Sequence, residues 1–215
     1  MEVSGLSGVY LVLDPTMEGV LEKLSRALKG GLGMIQIWNH WPTDYSVHQK
    51  HSLIHQIKQL AMVHNTPVLM HDDWEISVEL GLEGVHFDEA PKNWKQARIA
   101  LKDKTIGLTV GNDLTKISWA DKEAFSYLSF CAMFPSPSVG SCEIVSPDSV
   151  RNTREITDLP LFLSGGIRPD NLNELENLDF QGIAIISGIM SADDPETAVR
   201  AYNQKLKELR NIDII

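Results

Sequence analysis

The chain has 215 residues, of which 43% are hydrophobic and 22% are charged, and its formal net charge is −10. This composition is typical of a globular protein with a sizeable core, and the negative charge argues against a nucleic-acid surface, which needs a basic patch. No apolar run is long enough to span a membrane, and the N-terminus lacks the basic region of a signal peptide. The two cysteines, Cys131 and Cys142, are too few for a disulfide framework, so we expect a cytoplasmic protein.

Short apolar runs rich in β-branched and aromatic residues recur along the chain. They read as continuous rather than strictly alternating apolar runs, which is typical of parallel strands that are buried on both faces. Eight of these runs are predicted to be strands, at 9–13, 34–38, 67–71, 83–87, 105–109, 126–131, 160–164 and 182–187.

Several segments between these runs have helical periodicity. Residues 17–29 and 46–64 each place their apolar residues on one stripe, as a helix that packs on a sheet does. Asp170 is the predicted N-cap of a later helix. Asp194 is the predicted N-cap of the last helix, which has Pro195 at its first position.

Strands that alternate with helices predict an α/β protein, a single (β/α)8 TIM barrel over residues 1–215. An open, doubly wound sheet is the alternative, because sequence alone does not fix the number of strands. In a TIM barrel the chemistry takes place at the carboxyl ends of the strands. The residues that follow each predicted strand are therefore the candidates for function.

A double glycine follows the predicted seventh strand in the stretch LFLSGGIRPDN, and IISGIM closes the eighth. The loops after strands seven and eight of TIM barrels often bind a phosphate through backbone N–H groups, and glycine allows close approach and positive φ. The two segments together predict a phosphate site at Gly165 and Gly166 after strand seven and at Ser187 and Gly188 after strand eight. A plain tight turn at the double glycine is the alternative.

Five segments carry a resemblance to a known family: YLVLDP at 10–15, GVHF at 84–87, FPSPS at 134–138, LSGGIRPDN at 163–171 and GIAIISGIMSADDPETAVRAY at 182–202. In this order they resemble thiamine-phosphate synthase, a transferase of thiamine biosynthesis whose wider group includes a thiazole tautomerase of the same fold. The resemblance implies that pyrophosphate leaves a hydroxymethylpyrimidine with the help of Mg²⁺. A thiazole phosphate then captures the pyrimidine cation. Such an enzyme mainly positions its partners and stabilises charge.

The resemblance also implies roles for single residues. Gly165, Gly166, Ile186 and Ser187 match the positions that hold the thiazole phosphate, and Asp72 matches a metal-binding aspartate. The positions that it implies for substrate binding are Gln36, which would face the pyrimidine, Thr109, Ser136 and Ser138.

The chain departs from the family pattern where charge is handled. The family segment Q-L-R-x-K reads QIWNH at 36–40, so that Trp38 and His40 replace an arginine and a lysine. Val139 replaces a loop lysine, and the acid expected near Ala90 is absent. Each lost charge-assisted contact is worth about 1.5–3 kcal/mol, so ligand handling at this end of the site is expected to differ.

Other side chains offer compensation for these losses. Asp72 and Asp88 end neighbouring strands and could share a hard cation through oxygen ligands, which makes them the candidate Mg²⁺ site. His40 and His71 are candidate catalytic acid and base, or protonated partners of a diphosphate. Arg168, just after the double glycine, could assist a phosphate.

Aromatic and histidine side chains near the predicted strand ends have two interpretations each. Trp38 and Trp41, on either side of His40, could stack on a flat heterocycle or could pack on the rim of the barrel. His86 lies within an apolar strand, where a hydrogen-bonded core histidine is favoured over a catalytic one.

Three functions follow from these observations. The first is a divergent thiamine-phosphate synthase. The second is a tautomerase of the thiazole phosphate, which would keep the phosphate site and need only an acid–base pair. The third is a non-catalytic barrel that binds a thiamine-pathway phosphate. The expected partners are small phosphorylated heterocycles, with no nucleic acid and no membrane, and the expected assembly is a homo-oligomer, namely a dimer.

Overall fold

Eight parallel strands form a closed barrel in the computed structural model, which describes residues 5–136 and 143–211. Each strand pairs with the next, and the first pairs with the eighth through Gly8 opposite Gly182. The strands are β1 (Gly8–Leu13), β2 (Met34–Ile37), β3 (Val68–His71), β4 (Gly84–Phe87), β5 (Thr105–Thr109), β6 (Tyr127–Cys131), β7 (Leu161–Ser164) and β8 (Gly182–Ile185). The prediction of a TIM barrel is confirmed.

Helices connect the strands on the outside of the barrel. They are α1 (Val20–Lys29), α2 (Val47–Val63), α3 (Trp74–Glu79), α4 (Trp94–Ala100), α5 (Leu114–Lys122), α6 (Pro147–Thr153), α7 (Ser187–Met190) and α8 (Pro195–Asn211). A short 3₁₀ helix, Leu172–Leu175, follows β7. No helix among the described residues is long and apolar enough to cross a membrane.

Of the two predicted N-caps, Asp194 is confirmed and Asp170 is not. Asp194 accepts a hydrogen bond from the N–H of Glu196 at 3.2 Å, and α8 begins at Pro195 as predicted. The prediction for Asp170 is wrong, because its carboxylate instead accepts from the guanidinium of Arg168 at 3.0 Å. Asn171 precedes the 3₁₀ helix, and its side chain bonds to the turn before it rather than to the helix.

Two predicted elements lose more than one residue at one end. The strand predicted at 182–187 ends at Ile185, because Ile186 turns the chain (φ −108°, ψ −91°) into α7. The helix predicted at 17–29 begins at Val20, after Gly19 in the left-handed conformation at φ 67°. In both places the backbone turns where the sequence pattern predicts a regular element to continue.

Large side chains fill the interior of the barrel. The rings of Tyr10, Tyr127 and Phe162 lie 5.2–6.0 Å apart, and all three are buried. Glycine makes room for them: a Cβ on Gly107 would lie 2.1 Å from the ring of Tyr127, and one on Gly182 would lie 2.4 Å from Phe162. Since the interior is packed, a ligand has room only at the carboxyl ends of the strands.

Candidate active site

A cavity of about 1200 Å³ opens at the carboxyl ends of the strands. Its walls come from all eight strands and from the loops that follow β2, β4, β5, β6, β7 and β8. Pockets for a single small molecule usually measure about 300–1,000 Å³, so this cavity has room for two small phosphorylated molecules together.

Three side chains that could hold a metal ion meet at the ends of β3 and β4. Ligand atoms of His71, Asp72 and Asp88 lie within 4.8 Å of one another. His71 Nε2 lies 3.0 Å from Asp88 Oδ2 and 3.4 Å from Asp72 Oδ2, and the backbone N–H of Asp88 donates to Asp72 Oδ1 at 3.0 Å. Neighbours on a strand point to opposite faces, but β3 ends at His71 and Asp72 has a φ of 57°, so both side chains reach one place.

Asp88 is the member of this cluster whose negative charge is most strongly stabilised. The hydrogen bond from His71 lowers the pKa of Asp88 to about 2. Burial lowers the pKa of His71, but its hydrogen bond with Asp88 and the nearby carboxylate charges outweigh burial, so that the pKa is raised. For the Asp72 carboxylate, burial disfavours the charged form and raises the pKa. The cluster therefore keeps at least one full negative charge at neutral pH.

The ring of His71 is oriented by the backbone of the preceding strand's loop. The N–H of Asn39 donates to His71 Nδ1 at 3.4 Å, which places the proton of the neutral ring on Nε2, facing Asp88. His71 therefore acts on the cluster as a hydrogen-bond donor. The atoms left to ligate a cation are the carboxylate oxygens of Asp72 and Asp88.

A chain of hydrogen bonds runs from Asp88 at the cavity into the buried interior of the barrel. Thr109 Oγ1 donates to Asp88 Oδ1 at 3.0 Å and lies 2.9 Å from His86 Nε2, and His86 Nδ1 lies 2.8 Å from the hydroxyl of Tyr127. Tyr127 contacts the hydroxyl of Tyr10 at 3.0 Å, which in turn donates to the Gln36 side chain. Both nitrogens of His86 have partners, so the prediction of a hydrogen-bonded core histidine is confirmed. This series of hydrogen bonds holds the Gln36 side chain in place at the floor of the cavity.

Burial of His86 gives the protein a pH-dependent stability. Loss of water around the ring lowers the pKa of His86 from 6.5 to about 3. Between these values the unfolded chain binds a proton that the native protein does not, so the free energy of unfolding falls as the pH falls. We expect His86→Gln to remove about one proton from this dependence, or about 1.4 kcal/mol per pH unit.

Urea unfolding of the wild-type protein and His86→Gln at pH 7, 5.5 and 4 checks this expectation. The variant should be less stable at pH 7, because Tyr127, which is buried, and Thr109 lose their hydrogen bonds to the ring. Its stability should nevertheless decline less steeply towards acid. Parallel pH profiles for the two proteins would show that His86 is not neutral in the native state.

The double glycine forms a left-handed turn on the opposite side of the cavity. Gly165 has a φ of 85° and Gly166 a φ of 67°. The carbonyl of Gly165 accepts from the N–H of Phe134 at 3.0 Å, and that of Gly166 accepts from the Asn171 side chain at 3.0 Å. Within residues 5–136 and 143–211, no bond is made by the N–H of Gly165 or Gly166. The turn thus fixes its carbonyls and leaves two N–H donors for a ligand.

The cavity brings most of the predicted site residues together. Those that line it are Gln36, Trp38, His71, Asp88, Thr109, Ser136, Gly165, Gly166, Ile186 and Ser187. Asp72 is not among the lining residues, and its carboxylate accepts from the backbone N–H of Asp88. Ser138 lies outside the described residues, as do Val139 and Cys142.

The aromatic segment after β2 divides between the cavity and the rim. Trp38 lines the cavity, and its ring lies 4.8 Å from that of His40. His40 is not among the lining residues; it is exposed, with Nδ1 3.5 Å from Asp14 Oδ2. Trp41 packs on Tyr45, with 6.4 Å between the ring centres. Of these three side chains, only Trp38 is placed to stack on a ligand in the cavity.

A lysine that the sequence analysis did not single out also lines the cavity. Lys116, in the first turn of α5, donates to the carbonyl of Asp88 and to Glu89 Oε1, each at 2.8 Å. Its position in the sequence could have indicated it. Lys116 follows the helix cap Asp113 by three residues, which places it in the first turn of the helix after a barrel strand.

Comparisons with known proteins agree with one another. Residues 9–189 match the sequence model of the family described as thiamine monophosphate synthase. Thiamine-phosphate synthase of Nitrosococcus oceani is 25% identical over 205 residues, which cover 94% of this chain and 93% of the relative. That of Halorhodospira halophila is 27% identical over 198 residues, 92% of this chain and 93% of the relative. Thiamine phosphate pyrophosphorylase from Pyrococcus furiosus superposes with a TM-score of 0.82 at 21% identity, covering 95% of this chain and 98% of that one, and this likeness shows the fold.

Proposed function

Because the chain belongs to the thiamine monophosphate synthase family, we propose that it joins hydroxymethylpyrimidine pyrophosphate to thiazole phosphate. The products are thiamine phosphate and pyrophosphate. One observation carries the proposal: a single cavity of about 1200 Å³ has a left-handed glycine turn on one side and, on the other, Asp88, which forms a cluster with His71 and Asp72. A reaction between a phosphate and a diphosphate ester needs such a pair of subsites.

The aspartate pair fits Mg²⁺ by its chemistry. Mg²⁺ prefers oxygen ligands, keeps several waters and is often held by one or two carboxylates together with substrate phosphates. Asp72 and Asp88 supply two carboxylates that are partly exposed to the solvent, beside the cavity. The chemistry that a bound Mg²⁺ supplies is neutralisation of the departing diphosphate.

The protein's own residues position the two reactants. The N–H groups of Gly165 and Gly166 bind the thiazole phosphate, with Ile186 and Ser187 closing the subsite from β8. Gln36, fixed from below by Tyr10, contacts the pyrimidine.

On the other side of the cavity, Trp38 covers the face of a heterocycle, and His71 holds the Asp88 carboxylate through its hydrogen bond of 3.0 Å. The bond from the pyrimidine methylene to the diphosphate oxygen breaks, and the thiazole nitrogen forms a new bond to that carbon. Proximity and charge stabilisation provide the rate enhancement.

Tautomerisation of a thiazole phosphate is a second candidate. It is favoured by the pairing of His71 with Asp88, which forms an acid–base couple that faces the cavity. The replacement of two family cations by Trp38 and His40 also favours it, because a tautomerase handles no diphosphate.

Incubation of the purified protein with both precursors, with and without Mg²⁺, tests the proposal. We expect Mg²⁺-dependent formation of thiamine phosphate, and loss of this activity in Asp72→Ala. Turnover of a thiazole phosphate tautomer without Mg²⁺, and no coupled product, would favour the second candidate instead. Stabilisation of the fold by thiazole phosphate with no turnover of either kind would contradict both.

A further inference from the structure

Two Lys or Arg side chains, Lys116 and Arg168, are found among the described residues that line the cavity. They lie after different strands. Arg168 follows the glycine turn after β7, and its guanidinium donates to Asp170 at 3.0 Å. Lys116 follows β5 and reaches Asp88. The two cations thus stand beside the two proposed anion subsites, one at each.

The first turn of α5 fixes the backbone of Lys116. Asp113 caps this helix, and its Oδ1 accepts from the N–H groups of Thr115 at 2.9 Å and Lys116 at 3.2 Å. The Lys116 side chain is 17% exposed, so its stem is held along the cavity wall. The ammonium therefore projects to a defined place rather than into open solvent.

The partners of the Lys116 ammonium leave it available to an anion. It donates to the Asp88 carbonyl and to Glu89 Oε1, while an ammonium has three N–H donors. The Glu89 side chain is 84% exposed, and ion pairs to so exposed a carboxylate contribute little. A more highly charged anion can therefore replace Glu89 at small cost.

Asp88 connects Lys116 to the candidate metal site. Asp88 offers its carboxylate to the cluster with His71 and Asp72, and its carbonyl to Lys116. A diphosphate bound through a cation on Asp88 would lie alongside the ammonium. The surrounding side chains, Asp72, Asp88 and Glu89, are acidic, so a diphosphate needs a cation at this point.

We propose that Lys116 binds the diphosphate of the substrate and of the pyrophosphate product, exchanging its contact with Glu89 for a phosphate oxygen. This inference rests on the proposed function. It assigns the diphosphate end of the cavity to α5, in place of the arginine and lysine that Trp38 and His40 replace after β2.

Calorimetric titration of the full-length protein with pyrophosphate in the presence of Mg²⁺ tests the assignment without turnover. We expect Lys116→Gln to weaken pyrophosphate binding by about tenfold or more, and Lys116→Arg to retain most of it. Glu89→Gln should tighten binding severalfold, because it removes a negative charge beside the diphosphate. Lys122→Gln, at the exposed end of the same helix, is the matched control and should bind as the wild type does.

Activity measurements separate this inference from the proposed function. In Lys116→Gln the KM for the pyrimidine pyrophosphate should rise, while binding of thiazole phosphate alone should not change. Equal pyrophosphate affinity in Lys116→Gln and the wild type, or no binding by the wild type, would overturn the inference. Lysine-dependent pyrophosphate binding without any thiamine phosphate formation would support the inference and contradict the proposed function.

Discussion

Asp88→Asn is expected to reduce the Mg²⁺-dependent formation of thiamine phosphate by about a hundredfold or more, because the proposed Mg²⁺ site would lose one of its two carboxylates. The substitution keeps the shape of the side chain and its contact with Thr109. It removes the negative charge that the hydrogen bond from His71 preserves down to a pKa of about 2. The effect should therefore appear at every pH at which the wild type is active.

The neighbouring acid provides the control for this substitution. Asp73 lies beside Asp72 but caps α3, where its Oδ1 accepts from the N–H of Ile76 at 3.0 Å. Asparagine caps helices about as well as aspartate, so Asp73→Asn should keep both stability and activity. Binding of Mn²⁺, followed by its paramagnetic resonance, should be weakened in Asp88→Asn and kept in Asp73→Asn. Equal Mn²⁺ binding and equal activity in the two variants would remove Asp88 from the metal site.

Gly166→Ala is expected to lower the free energy of unfolding by at least about 2 kcal/mol and to abolish binding of thiazole phosphate. The residue has a φ of 67°, which costs any L side chain about 1 kcal/mol. A Cβ there would also lie 2.7 Å from the carbonyl oxygen of Phe134 and 2.9 Å from that of Pro135. These are backbone atoms, so the turn itself must shift, and its N–H donors shift with it.

Gly19→Ala separates the two causes. Gly19 also has a φ of 67°, but nothing lies within 4 Å of the place where its Cβ would be. It should lose only about 1 kcal/mol of stability and bind thiazole phosphate normally. Urea unfolding and calorimetric titration of both variants measure these effects. Unchanged affinity in Gly166→Ala would show that the glycine turn does not bind the phosphate.

The barrel could be predicted from the sequence because its signal is local and repeated. Parallel strands buried on both faces are largely apolar without alternation, and the runs that became β1 to β8 follow that pattern, with polar exceptions such as Gln36 and His86. The glycine turn was also visible, since Gly165 and Gly166 directly follow such a run. The prediction of Asp170 as a helix N-cap fails because its carboxylate and the Asn171 side chain both bond within the turn after β7.

The geometry of the site depended on features that the sequence does not display. His71 and Asp72 meet Asp88 only because Asp72 adopts a φ of 57° at the point where β3 ends. Lys116 is distant in sequence from Asp88, and its approach depends on how α5 starts after β5. His40, adjacent to a strand end in the sequence, turns to Asp14 and away from the cavity lining. Side-chain direction after a strand end is a tertiary property.

The most direct test of the coupling reaction is a count of both products from one incubation. The purified protein, with Mg²⁺, hydroxymethylpyrimidine pyrophosphate and thiazole phosphate, should release thiamine phosphate and pyrophosphate in equal amounts. Asp88→Asn and Gly166→Ala should release little of either. Pyrophosphate release without thiamine phosphate, or no release of either product by the wild type, would contradict the assignment of this cavity to the joining of the two precursors.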